Sequence, residues 1–590
     1  MRPPDRIRAD KGYAVKLSRI IVSVLTVALL IGLTTLWRRG PAAPPAAPQR
    51  GGQIIVSARA EPRSFNRLVA RDQFTEMIAL LTQGRLVRVN RATQEIEPWL
   101  AERWETSSDG RSYTMHLRPG ATWSDGEPLT SADVVFSLEA ILDPRNQSPL
   151  ATVMTVSGQP IQATAVDPQT VVITYPAPLG PGLRLLDSFW IFPKHKLEPA
   201  AGAGKLASVW ATTTPPSEIV GTGPFVISAY NPGQRLVLER NQRYWRKTAD
   251  GGALPYLDRV VIEIVPDQNA ELLRLTSGNI DLTQTELRPE DYVVVKRAAD
   301  QGRLKLLNLG VGTDTDAFWF CLKPEVKKQD PRFAFVQKPE FRRAISHAVD
   351  RKQFADTVFL GAGVPVWGPI TPGNKLWYWP DLPKYEHDTA KATELLRSIG
   401  LEDRNGNGVV EDAKGTEARF TIITQRGISS YERGAAILRD DAAKIGVVFE
   451  IAPLEFNAVI ERLQTSRYDA LFFRFLMSDL DPALSKDLWL SSGSAHVWNL
   501  DQKTPATEWE RRIDELMVEQ ASTADPARRR ELFNEVQRIV AEQAPILYFA
   551  APTFYYAHNT RVRGVEATVF RPPALWNADT ISVVGPPSGT

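Results

Sequence analysis

The chain has 590 residues, with 70 Lys and Arg against 68 Asp and Glu, six His and one Cys. A hydrophobic share of 43% beside 23% charged residues excludes a disordered chain. A net charge of +2 argues against a nucleic-acid binder, and the lone Cys321 excludes an internal disulfide framework, a Cys-rich zinc site and an iron–sulfur cluster. The length allows about three to five domains or lobes. Most of the 23 Phe, 14 Tyr and 15 Trp are expected to fill cores.

Residues 20–37, IIVSVLTVALLIGLTTLW, carry no charge. As a helix they would span about 27 Å, close to the hydrocarbon thickness of a bilayer. Arg2, Arg6, Arg8, Lys11, Lys16 and Arg19 precede this run, and only Arg38 and Arg39 follow closely. That asymmetry predicts a cytoplasmic basic tail over 1–19, a single-pass anchor over 20–37 and a body in the periplasm or extracellular space. The competing expectation is a cleaved signal peptide, but prolines crowd the small residues of GPAAPPAAPQRGG where the cleavage site would fall. Residues 38–52 read as an extended Pro/Ala tether. With its sole cysteine at 321, the sequence has no cysteine just after the apolar run to carry a lipid.

In the body, QIIVSARA (53–60) reads as a strand and TEMIALLTQG (75–84) as a helix stopped by Gly84. SYTMHLRPG (112–120) alternates like a half-buried strand, and SADVVFSLEAIL (131–142) reads as a helix capped by Ser131. RLVLER (235–240) and RVVIEIV (259–265) are strands, and AELLRLTSG (270–278) is a helix closing at Gly278. FRRAISHAVDRKQFADTVFLG (341–361) opens a more helical half. There the strands ARFTIIT (418–424), VVFEIAP (447–453) and YDALFFRF (468–475) separate the helical runs. Such an order implies an α/β body with mixed sheets.

Chemistry-bearing patterns are sparse. No two histidines lie at helical metal-binding spacing, and there is neither a G-x-S-x-G elbow nor a phosphate-binding lysine loop. The chain therefore does not read as an enzyme, and no cofactor is expected. One stretch is metal-like: Asp403, Asn405 and Asn407 followed by Gly408 mimic the start of a calcium loop. Its twelfth position is Lys414, so Glu411 or Asp412 would have to close a shortened loop; the alternative is a plain glycine-rich turn.

Four stretches carry a resemblance. PWLAERWETSSDGRSYTMHLRPGATWSDGEPLTSADVVFSLEAILDP (98–144), GTGPFVISAYNPGQRLVLERNQRYW (221–245), FRRAISHAVDRKQFADTVFLGAGVPVWGPITP (341–372) and residues 435–482 lie in the order found in the family-five extracellular solute-binding proteins, which the chain resembles over about residues 51–580. The family serves ABC importers for oligopeptides, dipeptides and, in some members, nickel.

The resemblance implies a two-lobed periplasmic-binding-protein clamp. Lobe I would hold 51–308, with an extra subdomain, and 556–590; lobe II would hold 309–555. Hinge crossings are expected near 309–320 and 545–557. It also implies a monomer that binds a peptide or other small solute in the cleft and docks on an ABC permease, without nucleic acid. An anchored sensory or assembly protein that keeps the clamp without transport is the alternative. In peptide-binding members an Asp before a D-P pair takes the ligand ammonium, and Asp479 before Asp481-Pro482 matches it best, one residue short in spacing and without the usual tryptophan. Arg426 and Arg474 are the candidates for a ligand carboxylate, and Trp319, Trp367 and Tyr431 for the cleft wall.

Overall fold

The computed structural model describes residues 48–70, 72–475 and 480–584. The expected tail and anchor lie outside these residues, as does Asp479. Among the described residues no helix is long and apolar enough to cross a membrane.

The first half begins with β1 (Gln53–Ala58) and α1 (Gln73–Thr82). Asp72 caps α1 by accepting from the Thr75 amide at 2.9 Å. The helix stops at Thr82 rather than Gly84. Gly84 instead lies in a short strand pairing with Ile191, where a Cβ would stand 2.4 Å from Thr222 Oγ1. The glycine is there for close approach of another segment, not as a helix stop.

A small hairpin follows, of β2 (Val87–Val89) and β3 (Ile96–Pro98). Then come β4 (Ala101–Thr106), β5 (Ser112–Leu117), α2 (Ser131–Leu142), β6 (Gln162–Asp167) and β7 (Thr170–Thr174). The four strands form an antiparallel sheet in the order β4–β5–β7–β6. The cap of α2 is Thr130, not Ser131: Asp133 reaches back to the Thr130 amide at 2.9 Å, while the Ser131 hydroxyl donates to the Asp167 carbonyl.

β8 (Phe225–Asn231), β9 (Arg235–Arg240), β10 (Arg259–Ile264), α3 (Gln268–Thr276) and β11 (Leu282–Thr283) complete this half. A five-stranded mixed sheet runs β8–β9–β10–β1–β11, with β1 parallel to both neighbours. Ile54 and Val56 of β1 and Val260 and Ile262 of β10 are fully buried, as central strands require.

The second half holds β12 (Leu304–Val311), β13 (Thr315–Phe320), α4 (Pro339–Ala348), α5 (Arg351–Val358), β14 (Gly363–Pro365), α6 (Thr389–Ser398), β15 (Arg419–Gln425), α7 (Ser429–Ala443), β16 (Val448–Leu454), β17 (Ala470–Phe475), α8 (Glu508–Ser522), α9 (Pro526–Gln543) and β18 (Ile546–Asn559). The helical run from residue 341 is two helices. Asp350 accepts from the Lys352 and Gln353 amides and restarts the chain as α5. Strand β15, α7 and β16 form a parallel βαβ unit with Arg419 opposite Val448. The sheet order is β12–β18–β13–β17–β15–β16, with β14 on β18.

Strand β18 pairs through its second part with β12 and through its first part with β13. One core gathers residues from Ile54 to Leu282 and again from Tyr556 to Val583. Two others lie on the second sheet and draw only on residues between Ala317 and Ala551. The molecule is therefore a two-lobed clamp, and β12, β13 and β18 lie where the chain passes between the cores.

Candidate functional site

Antiparallel pairing of β13 with β17 sets Asp316 directly opposite Arg474. Arg474 Nε donates to Asp316 Oδ1 at 2.9 Å, and its guanidinium lies over the rings of Phe359 and Tyr431, 5.2 and 5.8 Å from their centroids. Asp316 is fully buried. Two residues earlier Asp314 approaches Arg571 of the carboxyl-terminal return at 3.7 Å; Arg571 bonds Glu286 and covers the Phe554 ring. Five charged groups from distant parts of the chain thus meet at the junction of the lobes.

Burial pushes the carboxyls of both Asp314 and Asp316 above the usual range, against the pull of the neighbouring arginines. Burial works against the Arg474 charge too, but Asp316 and Tyr431 more than offset it, so the guanidinium holds its proton tightly. Arg474 Nη2 and Asp316 Oδ2 are buried, and neither has a hydrogen-bond partner among the described residues. Such orphaned groups are rare in folded proteins and mark a place for a ligand or water.

Of the residues singled out in the sequence, Tyr431 and Arg474 come together here. Trp319 sits elsewhere: 3% exposed, it packs in a core with Cys321 and donates to the Tyr468 hydroxyl at 3.2 Å. Arg426 is exposed and turned to the Pro453 carbonyl and Glu455. Trp367 lines a small separate cavity with Arg351 and Tyr548. The oxygen residues at 403–411 lie in the loop between α6 and β15. Sequence reading missed Asp314, Asp316, Glu286 and Arg571. The one available signal was TDTDAFWF, acids set at the mouth of an otherwise apolar strand.

The lobes also touch beyond this cluster. Gln94, at the tip of the β2–β3 hairpin in the left-handed region (φ +70°), donates to the Gly373 carbonyl at 2.7 Å and accepts from the Lys375 amide at 2.8 Å. The Gly180 amide donates to the Ala521 carbonyl at 2.7 Å, and a Cβ on Gly180 would lie 2.3 Å from the Thr523 carbonyl oxygen. Gln94→Ala removes two bonds between the lobes, each worth about 1 kcal/mol. It is expected to weaken solute binding about tenfold or more without unfolding the protein. Calorimetry with an unchanged affinity would remove Gln94 from the closure.

A clamp with a buried, mixed-charge cluster between two lobes is the architecture of a solute-binding protein. Residues 95–496 match the family model described as bacterial extracellular solute-binding proteins, family 5, and the chain belongs to that family. It is 27% identical over 542 residues to a probable ABC transporter-binding protein of Deinococcus radiodurans, covering 88% of this chain and 90% of the relative. With the oligopeptide-binding protein AppA of Bacillus subtilis it shares 24% over 531 residues, 88% of this chain and 90% of that one. Among solved structures, the ABC transporter substrate-binding protein CtaP of Listeria monocytogenes superimposes with a TM-score of 0.73 at 25% identity, covering 91% of this chain and all of that one.

Proposed function

We propose that this solute-binding protein is the receptor of an ABC importer and takes a peptide or peptide-like zwitterion between its lobes. The observation that carries this reading is the pairing of an unsatisfied Arg474 Nη2 with two desolvated carboxylates, Asp314 and Asp316, at the lobe junction. A zwitterion supplies what each lacks: a carboxylate for the guanidinium and an ammonium for the acids. Asp479, which matches the family's ligand aspartate in sequence and lies outside the described residues, is a third carboxylate offered to that ammonium. Curated relatives include peptide binders, AppA and the dipeptide-binding protein of Escherichia coli among them. Closure bends the chain at 309–320 and 545–557, bringing lobe I (51–308 and 556–590) onto lobe II (309–555). A helix at 20–37 tethers this monomeric body outside the cytoplasm, beside its permease.

Thermal melting with trialanine and with trialanine blocked at both ends tests the reading. The free peptide is expected to raise the melting temperature, and the blocked one to do little. Equal stabilisation by both would overturn the zwitterion. Asp314→Asn is expected to abolish most of the peptide effect while the ligand-free variant melts higher than wild type at pH 7. The sign follows from the raised carboxyl: ionised Asp314 costs stability above its folded pKa, and that cost vanishes as pH falls through it. The advantage of the variant should therefore disappear below about pH 4.

A further inference from the structure

We propose that the loop from Asp403 to Glu411 binds one calcium ion. The loop joins α6 to β15 and winds around three side-chain oxygens at alternate positions. Asp403 Oδ1 accepts from the Gly406 and Asn407 amides at 2.8 and 3.1 Å, and its Oδ2 from the Gly408 amide at 3.0 Å. Asn405 Oδ1 accepts from the Asn407 amide at 3.0 Å, and Asn407 Oδ1 from the Val409 amide at 2.8 Å. Gly408 follows the third oxygen residue with φ +85°, the sharp turn that a calcium loop places at its sixth position.

Turn geometry alone assigns no ligand; Glu411 does. Its side chain is buried, with the residue 3% exposed, and folds back under the loop so that Oε1 accepts from the Arg404 amide at 2.9 Å. Oε2 is buried with no hydrogen-bond partner among the described residues. A carboxylate oxygen withdrawn from water and left without a donor is costly unless a cation faces it. Among the described residues no basic side chain pairs with it: the Arg404 guanidinium turns to the Gly400 carbonyl and Glu402. Asp412, the other acid that could close the loop, spends Oδ1 on the Lys414 and Thr416 amides. Glu411 is thus the closing ligand, which accounts for a loop shorter than twelve residues and for Lys414 at the position where a longer loop needs an acid.

The donor set is oxygen throughout: Asp403, Asn405, Asn407 and Glu411, with a backbone carbonyl supplied at the seventh position of such a loop, here Val409, and Glu417 is held beside it by a 2.7 Å bond from Asn407 Nδ2. Hard oxygen donors on a flexible turn suit calcium better than magnesium, which demands a tight octahedron and sheds water reluctantly. Two carboxylates balance the charge, and such a modest count gives dissociation constants of about 0.1–1 mM. A site of that strength fills where calcium is millimolar, outside the cytoplasm. Its effect would be to brace the segment entering β15, since the Glu411 backbone bridges both Glu402 and Glu417.

Calcium chloride titrated into the chelator-washed full chain in detergent tests the site. One ion per chain is expected, with magnesium at least about tenfold weaker. Hydrogen exchange should slow at the amides of 403–412 and not elsewhere. Glu411→Gln and Asn405→Ala should each weaken calcium about tenfold or more and remove the local protection. Asn405 lies on the exposed side of the loop, so that variant keeps the test valid should Glu411→Gln misfold. Unchanged exchange in wild type up to about 10 mM calcium, or wild-type binding in Asn405→Ala, overturns the proposal.

Discussion

Arg474→Met is expected to lower the stability of the ligand-free protein by about 3–5 kcal/mol at neutral pH, because it leaves a buried carboxylate without its cation. Asp316 is fully buried on a central strand, and Arg474 Nε at 2.9 Å is its one hydrogen-bond donor among the described side chains. The Asp316 carboxyl already stands above its ordinary range through burial, and Arg474 is the main influence holding it down. Removing the arginine lets it rise further. A raised carboxyl in the folded state means that the ionised form opposes folding. The deficit of the variant should therefore be largest above the folded pKa and shrink as pH falls through it. Urea unfolding at pH 4.5 and 7.5 measures this, and an equal deficit at both would refute it. Arg474→Met combined with Asp316→Leu should recover most of the loss, since the stranded charge is gone. Neither variant should respond to peptide.

Asp481→Ala is expected to cost a similar 3–5 kcal/mol, roughly, at neutral pH. Asp481 and Arg529 form a buried two-pronged pair, Oδ1 to Nη2 at 2.6 Å and Oδ2 to Nη1 at 3.0 Å. Arg529 also donates through Nε to the Gln520 carbonyl at 3.1 Å and lies over the Trp377 ring at 5.0 Å. The pair pins the segment after β17 to α9, beside the Gly180 contact from the other lobe. Here the substitution strands a buried guanidinium rather than a carboxylate. The two variants thus differ in kind: one strands a carboxylate, the other a guanidinium. A loss under about 1 kcal/mol for Asp481→Ala would show that water reaches Arg529.

The strands were legible because their signal is local. ARFTIIT, VVFEIAP and YDALFFRF appear as β15, β16 and β17, and the helix between the first two completes a parallel βαβ unit. Helix ends were harder. Gly84 resembles a stop, yet its reason is the approach of Thr222, far along the chain. Ser131 and Thr130 are both fair caps, and the Asp133 side chain decides between them.

The site was half legible. Arg474 and Tyr431 were named, but Asp316 lies 158 residues from Arg474 and meets it only through strand register. A one-residue slip would turn Asp316 to the other face of the sheet. The same alternation explains Trp319. Asp316, Phe318 and Phe320 fall on one face of β13, while Ala317, Trp319 and Cys321 face the core on the other. Gln94 carried no local signal, since its partners are backbone groups of the opposite lobe.

By itself the sequence determined the mixed α/β class, the family's two-lobed plan and the oxygen-rich pattern at 403–411, because each rests on residues close together in the chain. The tertiary structure alone decided which charges meet at the junction, which aromatics retreat into cores and which acid is buried beneath the oxygen-rich loop. Those are contacts between distant segments, fixed by register and burial rather than by spacing.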